Sequence, residues 1–240
     1  MGKLVEQTAK EMGHKIACII DIDSLDNFKS NEFRTADVAI EFTTPSTAVT
    51  GILECFAAGV PVVSGTTGWG NSLPDIKAMC LKGAGTLLHA SNFSIGMNIF
   101  MAINQRLAAV MNDFPAYKPH IHETHHIHKL DHPSGTAISL ANQMIEYLND
   151  FKGWEEPEDG EKVTTHMLPI SCTREGEVNG IHTVTWDSDA DTISMTHEAK
   201  SRIGFARGAV KAAEWIHGKK GYFTMQDMLA DVTGIQGLFK

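Results

Sequence analysis

ADVAIEFTTPSTAVTGILECFAAGVPVVSGTTG, from Ala36 to Gly68, reads as one strand–helix–strand unit. The β-rich run Ala36–Thr43 ends at a Thr-Thr-Pro turn. Ser46 is then placed to cap a helix over Thr47–Ala58, and Gly59 to stop it. Pro61–Gly68 is a second strand running into a loop of small residues. Working outward, KIACII (Lys15–Ile20) has the same β-rich character and ends at Asp21. Leu73–Lys82 reads as a helix and TLLHAS (Thr86–Ser91) as another strand. Strands and helices alternating at this spacing predict right-handed βαβ units, and so an α/β fold with a doubly wound parallel sheet.

The pattern changes after Ser94. Ile95–Met111 predicts one long helix, apolar at Ile99, Ile103, Leu107 and Val110. A histidine-rich strand follows, then a DHPSG turn and a helix from Ser134 or Thr136 to Leu148. GWEEPEDGEK (Gly153–Lys162) is charged and turn-rich, which predicts a surface loop. Three strand-like runs come in direct succession: VTTHMLPIS, GIHTVTWDS and DTISMTHEA. They imply a mixed or antiparallel sheet in a second, α+β domain. Ile203–His217 is an amphipathic helix and Met225–Ala230 a short closing one. The expected division is 1–94 with 203–240 as one domain, and 95–202 as the other.

Composition narrows the function classes. Hydrophobic residues make up 42% and charged residues 20% of the 240, an ordinary globular balance. No apolar run approaches the roughly 20 residues that span a bilayer. The polar start MGKLVEQTAKEMGHK is no signal peptide, so a cytoplasmic protein is expected. A net charge of −9 argues against nucleic acid and anionic membranes as partners. The four cysteines are scattered without a C-x-x-C pair, which predicts reduced, apolar packing residues and no zinc-thiolate site.

In open α/β sheets, ligands bind beyond the carboxyl ends of the strands. Asp21 is expected at such an end, where a carboxylate accepts hydrogen bonds from an adenosine ribose and repels a 2′-phosphate. Its neighbours Ile22 and Asp23 offer no arginine, so NADH is favoured over NADPH. Thr43-Thr44-Pro45 and Gly65-Thr66-Thr67-Gly68 stand at two further strand ends. Small residues there let backbone approach a flat ring, and free N–H and hydroxyl groups can bond its carboxamide. A dinucleotide fold should open with a strand and a glycine-rich turn. Here Met1-Gly2-Lys3 leads directly into helix-like LVEQTAKEM, as if the first strand were missing. The expectation is that Met1 is an internal methionine and that the natural chain starts roughly 10 residues upstream.

HIHETHHIHKLDHPSGTA (His120–Ala137) carries the chemistry. Six histidines fall between His120 and His132, with Lys129 beside them. His122-Glu123-Thr124-His125-His126 literally matches H-E-x-x-H, but that zinc motif works on a helix. Pro119, Pro133 and the β-branched residues between them predict a strand, on which His122 and His126 stand about 13 Å apart. No metal is expected. An imidazole can instead deliver a proton, a lysine can pair with a carboxylate, and the Ser134-Gly135-Thr136 helix start forms a second anion cradle. Two cradles around a histidine suit a small dicarboxylate.

Glu123 to Ala137, E-x-H-H-x-x-K-x-D-x-P-S-G-T-A, resembles the signature of the 4-hydroxy-tetrahydrodipicolinate (dihydrodipicolinate) reductase family. Gly65–Gly68 and Ser91-Asn92-Phe93-Ser94 resemble that family's two loops near the nicotinamide. Arg174-x-Gly176-x-x-x-Gly180-x-His182 and Ser201-Arg202 to Gly208 resemble its later motifs, so the likeness runs along nearly the whole chain. The resemblance implies a Rossmann domain, a substrate domain that builds a homotetramer, and C-terminal helices that rejoin the first domain. It further implies His125 as proton donor, Lys129 as its partner, and His126, Ser134, Gly135 and Thr136 as carboxylate-binding residues. Asp21 takes the ribose position, with Ile22 where relatives often carry Arg, and Gly2 is the remnant of the pyrophosphate turn. The implied reaction is NAD(P)H-dependent reduction of 4-hydroxy-tetrahydrodipicolinate in lysine and diaminopimelate biosynthesis. A zinc hydrolase, a non-catalytic nucleotide-binding regulator and another imine reductase are the competing readings.

Overall fold

A computed structural model describes residues 1–157 and 163–239. The chain divides into two units, Met1–Ile95 with Ile203–Lys240 and Gly96–Arg202.

The first unit opens with α1 (Gly2–Glu11) and α2 (Asn31–Arg34), then β1 (Ala39–Glu41), α3 (Pro45–Ala58), β2 (Val62–Ser64), α4 (Leu73–Leu81) and β3 (Thr86–His89). Its sheet has the order β1–β2–β3 and is closed at one end by the late strand β9 (Gly221–Phe223), every pair parallel. This is the doubly wound parallel arrangement that strand–helix alternation predicts. Val62, Val63, Leu87 and Leu88 are fully buried, as expected of strands covered on both faces. The α3 cap is Thr44, with Pro45 in the first helical position, rather than Ser46. Proline suits that position because its missing N–H would have no intrahelical acceptor. Gly59 ends the helix in the left-handed conformation at φ 72°.

Lys15–Ile20 departs from expectation: it joins no sheet. A β-rich run becomes a strand only where an adjacent edge offers hydrogen-bond partners. Cys18 and Ile20 still pack on the α3 core, while Lys15, Ile16 and Ile19 line an open groove with Glu6 and Lys10 of α1. Asp21 therefore begins a 3₁₀ turn over Ile22–Lys29 instead of ending a strand.

The second unit holds α5 (Ile95–Met111), β4 (Lys118–His125), α6 (Gly135–Ile145), β5 (Gly153–Glu155), β6 (Met167–Arg174), β7 (Ile181–Asp187) and β8 (Thr192–Glu198). Its sheet runs β5–β6–β4–β7–β8, parallel in the first two pairings and antiparallel in the rest. The surface loop expected over 153–162 begins instead with β5, which gains an edge to pair with in β6; 158–162 lie outside the described residues. Helix α5 buries Met97, Phe100, Ala108 and Met111. Ile103 and Val110, on the predicted apolar stripe, are 40% and 57% exposed. The helix carries two apolar stripes, and Asn104 selects the inward one by donating to the Leu140 carbonyl at 3.2 Å.

The C-terminal segment adds α7 (Ile203–Ile216), α8 (Met225–Thr233) and α9 (Gln236–Phe239) to the first unit. Ala206 and Val210 of α7 pack on Val5 and Ala9 of α1. Among the described residues, no helix is long and apolar enough to cross a membrane.

Candidate active site

In the second unit, the period of strand β4 turns Ile121, Glu123 and His125 to one buried face. His122 points the other way, its Nδ1 2.7 Å from Ser171 Oγ. The literal H-E-x-x-H match therefore splits its members between two faces of a strand.

Glu123 is the centre of this face, with its side chain 0% exposed. Its Oε1 accepts from Ser134 N at 3.1 Å and from Arg174 Nη2 at 3.0 Å. Its Oε2 lies 2.7 Å from His125 Nδ1 and 3.7 Å from His182 Nε2. The His125 approach is an ion-pair contact lying off the ideal hydrogen-bond line, since neither atom completes a hydrogen bond. Burial alone would push the Glu123 carboxyl up, but the close His125 imidazole, with donation from Ser134 and Arg174, outweighs it and holds the group well below the usual range. An ionised carboxylate at Nδ1 keeps a proton on that nitrogen and leaves Nε2 to exchange protons with a ligand. Gly180, at φ 140°, lies alongside; a Cβ there would stand 2.8 Å from Nε2. Glycine thus leaves the working nitrogen room.

His182 stacks edge-on to His125 with ring centroids 5.1 Å apart. Its pKa is lowered to about 4, chiefly by burial and then by the neighbouring His125. Its Nε2 meets Ser134 Oγ at 3.1 Å, and that oxygen also accepts from Ala137 N as the α6 cap. The Ser134 hydroxyl is thus committed to shaping the turn. Gly135 and Thr136 supply the next two N–H groups, which an α-helix leaves without internal acceptors.

Lys129 Nζ lies 2.8 and 2.9 Å from the two Asp131 oxygens, its side chain only 20% exposed. The hydrogen bond from Lys129 holds the Asp131 carboxyl below its ordinary range. Lys129 N also bonds the His126 carbonyl at 3.1 Å, and the His126 ring lies 5.9 Å from that of His128. His125, His126, Lys129, Ser134, Gly135 and Thr136 therefore all gather at one end of β4 and the start of α6.

The expected cofactor residues all lie in the first unit. Buried Glu41 organises two of the loops: it accepts from Thr43 N at 2.7 Å, Thr43 Oγ1 at 2.6 Å and Thr66 Oγ1 at 2.6 Å, and from Ser64 Oγ. The loops ending β1 and β2 are thereby tied together at the carboxyl edge of the sheet. Gly65 is required there, because a Cβ would stand 2.1 Å from the Phe42 ring. Gly68 takes φ 85°, and Thr67 is exposed. Phe93 is 1% exposed and stacks edge-on to Phe42 at 5.7 Å; Asn92 accepts from Ser94 N, and Ser91 is exposed. Gly2 starts α1, and Asp21 is an exposed carboxylate whose Oδ1 accepts from Ile22 N.

These residues fit a nicotinamide dinucleotide. Hydroxyls and a close-approach glycine sit at the strand ends, a ten-residue helix starts at Gly2, and Asp21 presents an exposed carboxylate. The sequence-based site omitted Glu41, Glu123, Arg174 and His182. The last three stand inside the quoted motifs, but nothing local says that four segments converge on one buried carboxylate.

Residues 1–93 match the family described as "Dihydrodipicolinate reductase, N-terminus", and residues 96–229 match "Dihydrodipicolinate reductase, C-terminus". The chain is 45% identical over 232 residues to the 4-hydroxy-tetrahydrodipicolinate reductase of Christiangramia forsetii, which covers 97% of this chain and 95% of the relative. The enzyme of that name from Neisseria meningitidis is 34% identical over 204 residues, 81% of this chain and 72% of its own length. A dipicolinate-bound dihydrodipicolinate reductase from Paenisporosarcina sp. TG-14 shares the fold, with a TM-score of 0.69 at 22% identity over 90% of this chain and 82% of that one. With both halves of the chain matched in order, this protein belongs to the dihydrodipicolinate reductase family.

Proposed function

We propose that this chain reduces 4-hydroxy-tetrahydrodipicolinate to tetrahydrodipicolinate with a reduced nicotinamide dinucleotide, the 4-hydroxyl leaving as water, a step of diaminopimelate and lysine biosynthesis. The observation that carries the reading is the buried Glu123 that joins a histidine, an arginine and the start of α6 beside Lys129.

When bound, the dinucleotide supplies the hydride. Thr43, Gly65, Thr66, Thr67, Ser91, Asn92 and Phe93 would hold its nicotinamide end, Gly2 its pyrophosphate and Asp21 its ribose. The Asp21 carboxylate repels a 2′-phosphate, so NADH is the preferred form. In the other unit, the N–H groups of Gly135 and Thr136 would bind one substrate carboxylate, in the turn that Ser134 shapes. Lys129 would exchange Asp131 for the other carboxylate, with His126 beside it. His125 delivers a proton from Nε2 to the nitrogen side of the reduced ring, oriented by Glu123 at Nδ1. Fixed cationic and N–H donors around developing charge typically contribute a few kcal/mol. Exposed Ile103 and Val110 leave apolar surface on α5 that assembly of copies would cover, and the family resemblance implies a homotetrameric cytoplasmic enzyme.

The test is NADH consumption with substrate freshly generated from aspartate semialdehyde, pyruvate and the preceding synthase. His125→Ala is expected to lower kcat about 10²- to 10⁴-fold. Lys129→Ala should depress kcat and raise the substrate KM. Wild-type kinetics in both variants would remove the proposed site.

A further inference from the structure

Beyond the reductase reading, we infer that His132, Glu156 and Cys172 form a binding site for a zinc-class divalent metal. The three come from separate segments of the second unit: the loop before α6, the residue after β5, and the middle of β6. Their ligand atoms all lie within 4.8 Å of one another. His132 Nδ1 and Glu156 Oε1 are 3.3 Å apart, the spacing of two ligands on a tetrahedral ion with metal–ligand bonds of about 2.0 Å. Strand pairing builds the cluster: β5 pairs with β6, which brings Glu156, just past the end of β5, beside Cys172.

The donor set points to the class of ion. A thiolate and an imidazole select zinc or cobalt(II), whereas calcium and magnesium require an all-oxygen shell. Three protein ligands with solvent reaching His132 and Glu156 leave the fourth position to water. Cys172 sits on the rigid strand, while the other two side chains are half exposed and can close the remaining distance by small rotations.

The position gives metal binding a consequence for the proposed active site. Cys172 of β6 is the direct cross-strand partner of Glu123 on β4, and His132 lies between Asp131, the partner of Lys129, and the Ser134 turn. Metal ligation converts the thiol to a thiolate, releasing its proton to solvent. The cross-strand partner of Glu123 then carries a metal-bound thiolate, and the loop bearing Lys129 is pinned at His132. Zinc is therefore an inhibitor that acts mainly on the substrate KM, a consequence that rests on the reductase reading.

The experiment uses the tag-free full chain, stripped with chelator and titrated with cobalt(II) in thiol-free buffer. The expected result is one equivalent bound, with a thiolate-to-cobalt charge-transfer band and the intense visible bands of tetrahedral coordination. Cys172→Ser, which preserves shape, should lose the charge-transfer band while keeping the parent circular-dichroism spectrum. His132→Ala should weaken binding at least about tenfold. An absent thiolate band in the parent, or the same band in Cys172→Ser, overturns the site. Zinc inhibition is read as the ratio of KM with zinc to KM with chelator within each variant. A ratio that rises in the parent and not in His132→Ala supports the coupling; equal ratios overturn it. The cobalt measurement needs no turnover, so failure of the site and failure of the reductase reading are distinguishable.

Discussion

Helix α7 offers two glycines for which the same substitution should have opposite effects. At Gly208, a Cβ would stand 1.7 Å from the Phe93 carbonyl oxygen and 2.8 Å from its carbon. Both residues are buried, and the obstacle is backbone, so no side chain can rotate away. Restoring ordinary contact requires the helix and the 91–94 segment to separate by more than about 1 Å, in an interior packed as densely as a crystal. Overpacking of this kind typically costs 1–3 kcal/mol, and a backbone clash belongs at the upper end, about 3 kcal/mol. Alanine returns at most about 1 kcal/mol through helix propensity, leaving a net loss of about 2 kcal/mol. For a protein of this size that lowers the thermal midpoint by about 4–8 °C. At Gly204 nothing lies within 4 Å, so Gly204→Ala should gain about 0.5 kcal/mol and raise the midpoint by 1–2 °C. Thermal denaturation followed by circular dichroism compares the two. Because Phe93 belongs to the proposed nicotinamide loop, Gly208→Ala should also raise the KM for NADH. A Gly208→Ala midpoint equal to or above the parent would refute the reasoning, since no relaxation short of separating the two segments accommodates the methyl group.

Glu123→Gln keeps the shape of the buried hub but removes its charge, leaving Arg174 and His125 without their anion; we expect kcat to fall at least about tenfold with little change in the NADH KM, and parent-like kcat would count against the hub. Asp21→Ser removes the carboxylate assigned to the ribose, so the ratio of kcat/KM for NADPH over NADH should rise about tenfold, equivalent to 1.4 kcal/mol; an unchanged ratio would place the ribose elsewhere. Stability should depend on pH through His182. Its folded pKa of about 4 lies below the ordinary 6.5, so the unfolded chain binds the extra proton between those values. Stability is then full above pH 6.5 and lost as pH falls toward 4, by up to about 3 kcal/mol. Urea titrations across that interval should give a slope that flattens in His182→Gln; equal slopes would mean that other groups carry it.

Much of this molecule is legible in local sequence because local physics decides it. Proline and glycine mark the ends of α3, strand period turns Glu123 and His125 to one face, and the Ser-Gly-Thr start of α6 announces its cap. The alternation of strands and helices determines the parallel sheet, and the ordered motifs from Gly65 to Gly208 determine the family.

Tertiary structure decided what depends on partners. Lys15–Ile20 has strand composition but no edge to pair with, while Gly153–Glu155 reads as loop and becomes a strand because β6 offers one. Helix α5 has two apolar stripes, and only packing with the Asn104–Leu140 bond chooses which faces the core. Glu123 looks like any acidic residue until β4, β6, β7 and the start of α6 converge on it, and Glu41 until two loops close around it. A buried carboxylate acquires its role from donors distant in sequence, because its charge is tolerable only where they surround it.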